Sequence, residues 1–188
     1  MNWIVVGFYT TDTPYEQEVE HLIESLKKFG IPYDIKGIPS LNDWKNNCAC
    51  KPQVILDAML AHPDKNIVYL DVDAVVMQYP KLFDTCPADV SVHYLNGKEL
   101  LSGTIFLQNN DRVRTLINNW VLEQANCYIF DQRVLQAVLK EYSADLGIRF
   151  LDLPPTYVQI FDIMRNTGEP VITHNQASRR YRKGVNKC

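Results

Sequence analysis

The chain has 188 residues, enough for one compact α/β domain and hardly for two. Its 46% hydrophobic and 22% charged residues form an ordinary globular composition, which excludes a disordered or fibrous class. A net charge of −3 supplies no global basic field, so nucleic acid is not an expected partner.

Met1-Asn2 carries no basic flank, and the apolar run 3–8 behind it is too short for a signal peptide. Residues 3–9 read instead as a first buried strand, ended by the polar loop 10–13. Thr13-Pro14-Tyr15-Glu16 then has the pattern of a helix start, with Thr13 as N-cap, Pro14 at N1 and Glu16 closing a capping box. Tyr15, Val19, Leu22, Ile23 and Leu26 follow at helical spacing, and Gly30 supplies the stop. Residues 33–38 read as a second strand. This β-loop-α-β opening is that of a nucleotide-binding α/β domain. Residues 39–50 are polar and read as irregular. Their Cys48 and Cys50, like the other three cysteines, lack C-x-x-C spacing, which argues against a disulfide framework or a zinc site. Pro52 opens a helix with Val54, Ile55, Ala58 and Met59 inward.

Ile67-Val68-Tyr69-Leu70-Asp71-Val72-Asp73 is the most informative stretch. Four apolar residues lead into two carboxylates, the signature of a buried, central strand. On an extended backbone Asp71 and Asp73 face the same side, about 6.6 Å apart. Further strands are expected at 90–94 and 101–107, separated by Asn96-Gly97. Ser102-Gly103-Thr104 leaves a gap of small residues where backbone or ligand approaches closely. Asn110 or Asp111 caps a helix carrying Val113, Leu116, Ile117 and Trp120. Asp131 starts another, carrying Val134, Leu135, Val138 and Leu139. A strand is expected at 148–153, and the chain is irregular from 154 until Val171-Ile172-Thr173-His174. No stretch approaches membrane-spanning length. The expectation is a reduced, cytoplasmic protein, residues 1–188 forming a single domain; the sequence is silent on oligomeric state.

In an open α/β sheet, ligands collect beyond the carboxyl ends of the strands. Paired carboxylates there need neutralising, and Mg²⁺ or Mn²⁺ does so while bridging to phosphate oxygens. Two surface aspartates at a strand end are the plain alternative. His174 would complete such a metal site, although a lone histidine is more often a surface or hydrogen-bonded residue. The cluster Arg179, Arg180, Arg182 and Lys183 suits a diphosphate, or else is a solvated basic tail. Asp131 reads from spacing as an N-cap, with sugar binding as the alternative. Tyr9, Thr10 and Thr11 end the first strand, where a base and ribose would sit. Lys51 precedes a helix N-terminus, and Trp44 is either a stacking platform or partly buried core.

In this order the pieces resemble a small nucleotide-sugar glycosyltransferase of the GT-A fold. The residues that carry the resemblance are 68–73, 102–107, Phe130-Asp131-Gln132-Arg133-Val134-Leu135 and Ile172-Thr173-His174. Their order is similar to that of family-8-like retaining transferases. The resemblance implies a GT-A-like domain with a mixed, mostly parallel sheet flanked by helices. It implies a metal-dependent transfer, with retention expected, from a nucleoside-diphosphate sugar to an acceptor hydroxyl, UDP-sugars being the favoured donors. Asp71, Asp73 and His174 would hold Mn²⁺ or Mg²⁺, with Asp71 also approaching the donor ribose. Thr10 and Lys51 would lie near the nucleoside or phosphates, Gly103 against the sugar or acceptor, and Asp131 and Gln132 near the anomeric carbon. The family's Gly and Lys-Pro-Trp ending is replaced here by Asn175 to Arg182, so the arginines stand in for its lysine. Two other readings are a haloacid-dehalogenase-like Mg-dependent phosphatase, which shares an apolar strand with D-x-D, and a non-catalytic nucleotide-sugar-binding protein.

Overall fold

The computed structural model describes residues 1–164 and 167–182, so Lys183 and Lys187 of the basic end lie outside the described residues. In chain order the elements are β1 (Trp3–Thr10), α1 (Tyr15–Lys28), β2 (Tyr33–Ile38), α2 (Trp44–Ala49), α3 (Lys51–Ala61), β3 (Asn66–Leu70), β4 (Ala74–Val76), α4 (Leu82–Thr85) and β5 (Val90–Leu95). There follow β6 (Glu99–Leu107), α5 (Asp111–Ala125), α6 (Asp131–Tyr142), β7 (Phe150–Asp152), a 3₁₀ turn (Pro155–Tyr157), β8 (Gln159–Ile160), β9 (Ile172–His174) and α7 (Ala177–Arg182).

A six-stranded sheet runs β2-β1-β3-β6-β5-β7, and a second, three-stranded sheet runs β4-β9-β8. In the large sheet β1 pairs in parallel with β2 and β3, and β5 with β7, while β6 is antiparallel to β3 and β5. The sheet is therefore mixed and mostly parallel. Side-chain alternation splits its apolar residues between two cores. Trp3, Val5, Val68, Leu70 and Phe106 pack towards α1 and the small sheet. Ile4, Val6, Ile67, Tyr69, Ile105 and Leu107 pack beneath α3, α5 and α6, around the fully buried Trp120.

Local chemistry explains most boundaries. After α1, Gly30 takes φ +63°, and the N–H groups of Gly30 and Ile31 close on Lys27 O and Leu26 O. That is a Schellman stop, which a side chain at this φ would strain. The start of α1 differs from the expected box. Pro14 occupies the cap position, and the Glu16 carboxylate accepts from Asp12 N instead of Thr13 N. Residues 39–50 are not wholly irregular, because Asp43 accepts from Asn46 N and caps α2. Asn96 and Gly97 both have positive φ and make the expected turn between β5 and β6.

Candidate active site

The carboxyl ends of β1 and β3 open into a cavity of about 430 Å³. Its floor is set by where β3 stops. The strand ends at Leu70, and Ala74 N donates to Asp71 O at 2.9 Å, so the D-x-D segment is a tight turn and not extended strand. The chain bends at the two carboxylates, which corrects the extended backbone expected there from the sequence. The turn leads into β4, and β4 pairs antiparallel with β9 so that Ala74 stands opposite His174. This second sheet brings the far end of the chain to the carboxylates, with His174 Nδ1 3.5 Å from Asp73 Oδ1.

Gly103 packs against two of these residues, His174 and Asp71. A Cβ there would stand 3.0 Å from His174 Cε1, 3.1 Å from its Nδ1 and 3.3 Å from Asp71 Oδ2. Thr104 Oγ1 lies 2.8 Å from His174 Nε2. That contact sets the plane of the ring, and Nδ1 is the nitrogen that faces Asp73.

Lys51 begins α3 with only 4% of its surface exposed. Its Nζ lies 2.7 Å from Asp131 Oδ2, 3.1 Å from Asp71 Oδ1 and within 3.2 Å of Ser102 O. Ser102 Oγ donates to Asp131 Oδ2, and Tyr69 OH donates to Asp71 Oδ1. Burial pushes the Lys51 ammonium down, but Asp131 and Asp71 outweigh it and hold its pKa above the usual lysine range. For Asp71, withdrawal from water is the largest influence. Although 39% of its side chain faces the cavity, its pKa is raised despite Lys51, with Asp73 and Asp131 adding repulsion. Burial also pushes Asp73 up, yet the His174 contact and the Ala177 N–H on Oδ2 leave it below the usual carboxylate range.

The structure brings Tyr9, Thr10, Lys51, Asp71, Asp73, Gly103, Asp131, Gln132 and His174 to one cavity. Thr11 is not part of it: the chain turns away after β1, and the Thr11 hydroxyl donates to Ile38 O. Arg179 and Arg180 do not line it either. They pair with Asp162 at 2.7 Å and Glu18 at 2.8 Å, because α7 turns that flank towards α1, while Gln176 and Ser178 face the cavity. Asp131 is not the N-cap. Phe130 holds that position, and the Asp131 carboxylate is buried against Lys51. Trp44 both packs and lines the cavity, its ring edge-on to Phe130 at 5.2 Å. Sequence reasoning missed Tyr69, Ser102 and Thr104 as site residues. All three had a signal, since residues 102 and 104 flank Gly103 on one face of a strand and Tyr69 is two before Asp71.

No protein-family model and no curated protein sequence matches the chain. Solved structures do. The crystal structure of a glycosyltransferase involved in the glycosylation of the major capsid of PBCV-1 superposes with TM-score 0.67 at 13% identity, over 97% of this chain and 99% of that one. The glycosyltransferase GlyE of Streptococcus pneumoniae TIGR4 superposes with TM-score 0.60 at 16% identity, over 92% of this chain and 54% of that one. Its apo form gives 0.58 at 15%. The fold is thus that of solved glycosyltransferases, this chain spanning nearly all of one and about half of the other. Among the described residues, no helix is long and apolar enough to cross a membrane.

Proposed function

We propose that the chain is a metal-dependent glycosyltransferase that moves a sugar from a nucleoside-diphosphate donor, a UDP-sugar by preference, to an acceptor hydroxyl with retention. The observation that carries this is that Asp71 and His174 meet at Gly103, with Asp73 beside His174, on the cavity floor of a glycosyltransferase fold. Among the described residues, no three His, Cys, Asp or Glu side chains are drawn together as closely as a bound ion would hold them. The donor set nevertheless suits a hard divalent cation: two carboxylates, an imidazole oriented by Thr104, and a cradle that a Cβ at Gly103 would fill. Asp71, Asp73 and His174 would hold Mn²⁺ or Mg²⁺, which when bound acts as a Lewis acid towards the leaving diphosphate.

The chain's own residues divide the remaining work. Tyr9 and Thr10 end β1 where the nucleoside lies. Lys51, pinned between two carboxylates, holds Asp71 and Asp131 at fixed positions without exposing its charge. Gln132 is the half-buried, cavity-facing member of the Asp-Gln step, and its amide oxygen suits a cationic anomeric centre. Asp131 supports that centre from beneath. Arg179 and Arg180, as placed, anchor α7 to Asp162 and Glu18.

A thermal-shift screen of UDP-, GDP- and other nucleotide sugars with and without Mn²⁺ tests the reading. A donor at 100 times its Kd stabilises by about 2.7 kcal/mol, which for a chain of this size is a rise of about 5–11 °C. Asp73→Asn should lose the Mn²⁺-dependent part. No rise with any nucleotide sugar would sink the proposal. Binding without sugar transfer or hydrolysis would instead identify a non-catalytic binder.

A further inference from the structure

One rim of the cavity is built by the start of β6, the start of α6 and the short helix α2. Glu99 opens β6 there, and its Oε1 accepts from Gln132 Nε2 at 3.0 Å. Glu99 is exposed, and its second carboxylate oxygen has no hydrogen bond among the described residues. The strand that carries it is fixed on both sides. Gln136 accepts from Leu100 N and donates to Lys98 O, clamping the start of β6 to α6. One residue before the Asp-Gln step, Phe130 packs against Trp44, and both rings line the cavity. The Lys45 ammonium lies 4.7 Å from the centre of the Tyr128 ring and 5.2 Å from that of Phe130, holding this apolar edge together. Tyr128 is 60% exposed, so the apolar edge continues outside the cavity.

Taken together, the rim has two chemistries side by side. One is an aromatic surface. The other is a hydrogen-bonded carboxylate-amide pair, with Arg133 beside it at the cavity wall. A pyranose ring presents the complementary pair: a face of C–H groups and an equator of hydroxyls. A serine or threonine side chain in a peptide offers one hydroxyl and no such face.

We propose that this rim is the acceptor subsite and that the acceptor is a saccharide, its ring against Trp44 and Phe130 and a hydroxyl donated to Glu99. The inference rests on the glycosyltransferase reading, which supplies the donor. The reaction would break the bond between anomeric carbon and diphosphate oxygen and form one to a saccharide hydroxyl. The hydroxyl proton leaves with the diphosphate. Glu99 and Trp44 are thereby specificity-determining residues.

The tryptophans supply a readout that needs no turnover. Of the three, Trp3 and Trp120 are fully buried, so Trp44 is the indole a cavity ligand can reach. The probes are methyl hexopyranosides and their disaccharides, with a Ser/Thr peptide as comparison. Titrated into the full chain with and without Mn²⁺ and UDP, a matching saccharide should change tryptophan emission saturably, and Trp44→Phe should abolish that response. In the nucleotide-release assay the same saccharide should raise the rate above donor hydrolysis. Glu99→Gln and Trp44→Ala should each raise its KM about tenfold, one lost charge-assisted hydrogen bond or stacking contact. Trp44→Phe, which keeps an aromatic face, should raise it less than threefold. Donor Kd, measured by calorimetry, should move less than twofold in Glu99→Gln. The proposal is overturned if no saccharide alters Trp44 emission, if the peptide stimulates release and saccharides do not, or if both KM values stay within twofold of the parent. Failure of every donor to bind overturns the glycosyltransferase reading instead, and the emission titration still decides whether the rim takes a saccharide.

Discussion

Replacing Lys51 with methionine isolates the charge that holds the cavity floor together. The side chain keeps its length and loses its ammonium, leaving Asp131 with 7% side-chain exposure and Asp71 with 39%. At 2.7 Å and 3.1 Å, with an effective dielectric of about 20, the two attractions come to about 6 and about 5 kcal/mol. Recovered desolvation of the ammonium offsets much of this. Breaking a buried pair by removing one partner costs about 3–5 kcal/mol. Most of that falls on Asp131, the more buried of the two carboxylates, while Asp71 can be hydrated through the cavity. For a chain of this length, about 3–5 kcal/mol corresponds to a fall in Tm of about 6–20 °C. Urea unfolding at pH 7 measures the loss directly. Adding Asp131→Asn to Lys51→Met removes the stranded charge and should restore about 2 kcal/mol. The reasoning fails if Lys51→Met unfolds within 1 kcal/mol of the parent, or if the double variant is no more stable than the single one.

Three further outcomes are expected. A Cβ at Gly7 would stand 2.8 Å from Leu70 O, a backbone atom held between strands, so Gly7→Ala should cost about 1–3 kcal/mol in urea unfolding; an unchanged midpoint would count against the packing described. Gly103→Ala should displace His174 and cancel any Mn²⁺-induced rise in Tm, while lowering the metal-free Tm by only a few degrees. Asp89 is fully buried, and the hydrogen bond from Arg149 is the main cause that holds its pKa down to about 2. Because the folded-state pKa lies below the unfolded one, this stabilisation is present above about pH 4 and is lost as pH falls towards 2. Arg149 and Arg112 are about half exposed, so screening leaves about 1–2 kcal/mol. The parent should therefore lose that much more stability than Asp89→Asn between pH 4 and pH 2; parallel losses would refute it.

Much of the architecture was legible in the chain because its signals are local. The apolar run of β1, the Gly30 stop, the Asn96-Gly97 turn and the Asn110 cap each depend on neighbours within a few residues. The structure kept all of them. The errors also have local causes. The Asp43 cap that starts α2 lies in a segment too polar to show helical periodicity. Asp131 was misread as a cap because the same residue type serves both at helix ends and opposite a buried lysine. Arg179 and Arg180 were misplaced because a run of charge carries no information about which carboxylates it will meet.

The order of residues along the chain sets the kind of floor this cavity has: two carboxylates after an apolar strand, a small-residue gap at 102–104, and an imidazole closing a short strand. Which atoms meet was decided only in three dimensions. The pairing of β4 with β9 sets His174 beside Asp73, and the packing of α3 and α6 into one core brings Lys51 between Asp71 and Asp131. The physical reason is range. Propensity and periodicity act over one or two turns of chain, whereas the energy of a buried charge depends on partners that only the folded sheet brings within 3 Å.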